Sequence, residues 1–160
     1  DLEKIGDQAK NIAKASRWLS KLPVNQKVLS VDNLFDLVNS NFRKVVNSFN
    51  EEDLKNVKAI WLNDAEVNKS YDILFRETLT YMLEDTKNIP SCTQIISVAK
   101  NLERIGDQIQ NIAEMIYYYV TGDHITQKIS PKEMKIYKKE KKYKTDISNI
   151  FKKAKLIVKK

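Results

Sequence analysis

Two carboxylates four residues apart, Glu103 and Asp107, are followed at the same interval by Asn111, which stacks three oxygen-bearing side chains on one side of a helix. Glu3, Asp7 and Asn11 repeat the arrangement at the start of the chain. Carboxylates at this spacing repel by a few tenths of a kcal/mol when exposed, and by more when partly buried, so something should compensate them. An ion pair with Arg104, Arg76 or a lysine would serve, as would plain solvation. A cation held between helices is the sharper expectation, because the acids recur and because Asp64 and Asn68 interrupt the apolar seam of another helix at the same interval. Oxygen-rich donor sets suit hard ions such as Mg²⁺, Ca²⁺, Mn²⁺ or iron. Structural zinc prefers Cys and His and ranks lower. His124 is the single histidine and lies at a helix end, so the Glu-x-x-His pattern of di-iron oxidases is missing, which argues against oxygen activation.

These acids sit in an internal repeat. Leu2–Ala13 and Leu102–Ala113 agree at nine of twelve positions with an offset of one hundred residues. That period is too long for a solenoid and suggests two copies of a small domain, each ending in the same acid-bearing helix. Gly6 and Gly106 recur in mid-helix, where each costs about 1 kcal/mol relative to Ala. Close approach of a neighbouring helix would explain them, and so would room for a ligand beside Asp107.

The elements that must position these residues are helices. The chain has 160 residues, and its six Gly and Pro residues leave long stretches without either. Asp1 to Leu22 carries apolar residues at 2, 5, 9, 12, 13 and 19, and Leu22-Pro23 should stop that helix. A second helix is expected on the seam 28, 31, 35, 38, 42, 45 and 49. Asn50 is the expected N-cap of a third, with Glu51, Glu52 and Asp53 in its first turn and a seam of Val57, Trp61, Asp64, Asn68, Tyr71, Phe75, Thr78 and Met82. Pro90 then opens a last helix that Gly122 closes. The reading is all-α: an antiparallel three-helix bundle over 23–123, preceded in 1–22 by the last helix of a truncated first bundle. The chain starts inside the repeated motif without Met, so it is expected to be the C-terminal part of a longer protein.

Charge divides the chain. Residues 1–123 carry 15 basic and 18 acidic side chains, whereas 124–160 carry 13 and 3, so the net charge of +7 belongs to a Lys-rich tail. That tail is expected to be flexible or weakly helical. Cys92 is the single cysteine, which excludes an internal disulfide and fits a cytosolic chain with a small apolar filler at that position. No apolar run approaches the ~20 residues of a membrane span.

Leu-Glu-Arg-Ile-Gly-Asp followed by Asn-Ile-Ala, present twice in three-helix units, resembles the PhoU family of phosphate-uptake regulators. The likeness extends to Asn63–Asn68, to Phe75-Arg76-Glu77 and to Ile116–Gly122. The resemblance implies two similar three-helix bundles whose acidic motifs hold iron or another divalent metal in some members. Carried over, the ligands are Glu103 and Asp107 in the complete unit and Glu3 and Asp7 in the partial one, with Asp64 and Asn68 in support. It further implies a cytoplasmic adaptor rather than an enzyme, one that damps phosphate-starvation signalling. Its partners would be the phosphate ABC transporter's ATPase, a membrane sensor histidine kinase and a second copy of the chain, so that it meets the membrane only through partners. One departure matters: many relatives have His after Gly-Asp, where this chain has Gln8 and Gln108.

Two other classes compete with that reading. A carboxylate-bridged metal enzyme needs an open metal position and a base, and the scarcity of His counts against it. A polyanion binder acting through the tail has the charge, but the lysines show no recognition motif for a specific nucleic acid.

Overall fold

The structure, a computed structural model, describes residues 1–21 and 31–125. The tail beyond 125, the stop at Leu22-Pro23 and the seam position Val28 lie outside the described residues. Among the described residues four helices form: α1 (Leu2–Leu19), α2 (Val31–Glu51), α3 (Leu54–Glu84) and α4 (Ile89–Thr121), with a 3₁₀ turn, Thr86–Asn88, between the last two. There is no strand among the described residues, and no described helix is long and apolar enough to cross a membrane. The protein is an all-α helical bundle, and its four helices belong to one compact unit, Asp1–Asp123.

Local chemistry sets the helix ends. Asp53, not Asn50, caps α3: its carboxylate accepts from the backbone N–H groups of Lys55 and Asn56 at 3.0 and 3.2 Å. Helix α2 therefore runs on through Glu51, and Glu52, at φ 54°, makes the reversal. Pro90 falls in the first turn of α4. Gly122 ends that helix at φ 72°, a left-handed conformation that a residue without Cβ adopts freely.

Helices α2, α3 and α4 pack on one another, while α1 packs chiefly on α4. Contacts between α3 and α4 run in opposite directions, since Trp61 meets Glu114, Val67 meets Gly106 and Tyr71 meets Lys100. Helix α1 is also antiparallel to α4. Asn11 donates to Asn101, and the stretches from Asn11 to Trp18 and from Asn101 back to Gln94 line one cleft. Counting five residues back from Asn11 and five on from Asn101 brings Gly6 level with Gly106.

The core uses only part of the seam expected on α2, keeping Val38 and Val45 but taking Leu34, Asn41 and Ser48 ahead of Phe35, Phe42 and Phe49. Leu34, Val38, Asn41, Val45 and Ser48 are buried, whereas Phe35 is 51% exposed and Phe49 67%. The helix is turned by roughly 60°, a little over half of the 100° step between successive residues, from the orientation that the seam with its aromatic residues suggests. Ser48 tolerates burial because its hydroxyl donates to the Lys44 carbonyl within the same helix at 2.8 Å. On α3 the buried set is Val57, Ile60, Trp61, Val67, Tyr71, Leu74 and Thr78. Val67 therefore fills the seam between Asp64 and Asn68, which lie half-buried at its edge rather than interrupting it. Helix α4 touches all three others and is buried on more than one stripe, so Ile105 and Gly106 are both inside.

Candidate functional site

The repeated acids do not share one environment. Glu103 points inward and is 2% exposed, while Asp107 is half-buried and Glu3 and Asp7 are exposed. The asymmetry follows from packing, because α4 is covered by three helices and α1 chiefly by one.

Burying a carboxylate is costly unless it is paired. Lys100, one turn back on α4, donates to the Glu103 carboxylate at 2.7 Å. The ammonium also stands 5.2 Å from the centre of the Tyr71 ring, so one lysine serves a buried acid and an aromatic face on α3. Burial pushes the Tyr71 phenol up to about 12, helped by the negative charges of Glu103 and Asp72, against which Arg104 acts weakly. Lys100 and Tyr71 were absent from the candidate residues read from the sequence. The i, i+3 spacing of Lys100 and Glu103 is visible there, but only the fold shows that the acid faces inward.

Asn68 donates to Asp64 within α3 at 2.9 Å. Among the described residues no three His, Cys, Asp or Glu side chains stand close enough to share one metal ion. The donors the sequence singles out are thus distributed rather than gathered: Glu103 is held by Lys100, Asp64 by Asn68, and the α1 pair lies at the surface. A metal at Glu103 would have to displace an ammonium from a 2.7 Å contact.

Gln8 and Gln108 occupy the same position in the two copies, and in both the side-chain oxygen is buried without a hydrogen-bond partner among the described residues. The two glycines part company. A Cβ built on Gly106 would lie 3.0 Å from Val67 Cγ1, whereas one on Gly6 would meet nothing within 4 Å. Close approach of α3 explains Gly106. Near the far end of α4, Trp61 donates through its indole to Glu114, and Gln110 donates to the Trp61 carbonyl at 3.1 Å, locking α3 to α4. Cys92 is buried, and desolvation raises its thiol pKa, which suits a packing role.

The sequence profile described as the PhoU domain matches residues 31–116, more than half of the chain. A Caulobacter vibrioides protein named phosphate-specific transport system accessory protein PhoU homolog is 40% identical over 126 residues, covering 78% of this chain and 55% of that protein. A Xylella fastidiosa protein of the same name is 40% identical over 133 residues, covering 83% of this chain and 55% of its own length. The Edwardsiella tarda phosphate-specific transport system accessory protein PhoU is 34% identical over 122 residues, covering 76% of this chain and 50% of its own. The chain spans about half the length of these relatives. No solved structure matches.

Proposed function

Starting from the fact that the chain belongs to the PhoU family, we propose that it acts in the regulation of phosphate transport, as part of a cytoplasmic adaptor without catalytic activity of its own. The observation that carries this reading is the match of the PhoU domain to 31–116, the three mutually packed helices α2 to α4, together with relatives named as accessory proteins of a phosphate-specific transport system. In the fuller form of the proposal the adaptor damps uptake and starvation signalling when phosphate is plentiful, by contacting the transporter's ATPase and a membrane sensor histidine kinase. Helix α1, bearing the second copy of the motif and open space beside Gly6, is read as the last helix of a further three-helix unit. Capture of the full-length protein from phosphate-replete cells should recover the ATPase or the kinase. Repeated recovery of neither, under conditions where a known transporter subunit is detected in the extract, refutes the adaptor reading.

The metal reading stands on donor chemistry. Glu3 and Asp7, exposed and four apart, with Asp107, Glu103, Asp64 and Asn68, supply oxygens of the kind that hold iron or another divalent ion. Glu103→Ala with Asp107→Ala should lower the metal content of the purified full-length protein with helicity intact. Equal content in variant and parent defeats it.

A further inference from the structure

We propose that the cleft between α1 and α4 is a binding site for a nucleoside phosphate. The cleft has a volume of about 420 Å³, and its walls include Asn11, Lys14 and Trp18 from α1 and Gln94, Asn101 and Arg104 from α4. Lys14 and Arg104 are its charged residues, and among the described residues neither forms an ion pair. Residues 1–123 carry more acidic than basic side chains, so a cleft with two cations and no carboxylate runs against the balance of its surroundings. An arginine fork and a lysine ammonium are the side chains that phosphate oxygens pair with most readily.

The remaining walls specify more than an anion. Trp18 is 61% exposed on a helix whose one buried residue is Ala15, so its ring does not serve the core. An exposed indole face stacks on any nucleobase. Asn11 and Trp18 are seven residues apart, about 10 Å along the helix, a span comparable with that from a base to its terminal phosphate. Lys14 lies between them, and Arg104 is one turn from Asn101, which Asn11 touches. Asn101 is held in place by donating to the Ser97 carbonyl at 2.7 Å and accepting from Asn11 at 3.4 Å. Gln94, level with the Trp18 end, offers an amide to the edge of a base. A cleft of 420 Å³ is far larger than a bare phosphate ion and falls in the range of small-molecule sites. This inference uses only the cleft and does not depend on the regulatory reading.

The test titrates the full chain with ATP, inorganic phosphate and adenosine, following tryptophan fluorescence and, in parallel, the heat of binding. Trp61 is fully buried and supplies a constant background, so a change reports Trp18. ATP should bind saturably and at least tenfold more tightly than either fragment. Arg104→Ala should weaken it at least tenfold and Lys14→Ala severalfold. Trp18→Phe should remove the fluorescence change while heat is still released. Both cationic residues are exposed, and unchanged helicity establishes that the variants are folded. The absence of saturable heat with ATP, an Arg104→Ala variant that binds as the parent does, or inorganic phosphate binding as tightly as ATP would each overturn the proposal.

Discussion

Gly6→Ala and Gly106→Ala place the same methyl group in the same motif in two different surroundings. Each substitution removes the conformational penalty of glycine inside a helix, which favours the folded state by about 1 kcal/mol. At Gly6 nothing lies within 4 Å of the new Cβ, so the gain should appear whole. At Gly106 the new carbon would lie 3.0 Å from Val67 Cγ1, with Val67 Cβ and Cγ2 at 3.7 Å. Carbons attract at about 3.5–4.0 Å, so one contact is short by about half an ångström. Val67 cannot swing into water to relieve it, because it is buried in the α3 seam. Overpacking of this kind costs about 1–3 kcal/mol, which leaves Gly106→Ala between neutral and about 2 kcal/mol destabilised. The two variants should therefore differ by about 1–3 kcal/mol, and their melting temperatures by several degrees at the ~2–4 °C per kcal/mol typical of a chain this long. Urea unfolding and thermal melts of the full chain measure the difference. Val67→Ala, destabilising in the parent, should cost about 1 kcal/mol less in the Gly106→Ala background, the coupling expected of two residues in contact. Equal stabilisation by both glycine replacements would refute the argument, since Val67 would then have yielded at no cost.

Three further outcomes are expected. Because the folded-state pKa of Tyr71 is raised to about 12 from 10, the folded protein holds the phenol proton more tightly than the unfolded chain. Its contribution, about 2–3 kcal/mol for a shift of this size, is complete below pH 10 and lost as pH rises towards 12; stability curves of the parent and Tyr71→Phe should diverge in that window, and parallel curves would remove the assignment. Leu34→Ala should cost about 2–5 kcal/mol by denaturant unfolding, while Phe35→Ala next to it should cost under about 0.5 kcal/mol; similar losses would put the aromatic stripe of α2 back in the core. Asp53→Ala should cost about 1 kcal/mol through loss of the α3 cap and Asn50→Ala almost nothing, and the reverse order would move the helix start to the position the sequence suggests.

Much of the helical framework was legible in the residues. The doubled motif, the Pro90 and Gly122 boundaries of α4 and the low Gly and Pro content depend on local backbone chemistry, which is nearly the same whatever surrounds it. The capping of α3 was misplaced because three acids follow Asn50 in succession, and composition does not say which of them reaches back to the free N–H groups; Asp53 does. The acids of the candidate site were found, but their surroundings were not. Glu3 and Glu103 are the same residue in the same motif, one at the surface and one 2% exposed beside Lys100.

The sequence by itself determined that the described residues are helical, that α4 runs between Pro90 and Gly122, that the acid-bearing motif is doubled and which family the chain resembles. Tertiary structure decided which stripe of each helix faces inward, because neighbouring stripes share the same 3.6-residue period and differ by a rotation that only packing partners resolve. On α2 the expected positions Val38 and Val45 are inside, but Leu34 and Ser48 take the places that Phe35 and Phe49 suggest by size, because they lie where α3 and α4 are. It also decided that Lys14, Trp18 and Arg104 line one cleft, since residues some ninety positions apart become neighbours only when α1 lies antiparallel on α4.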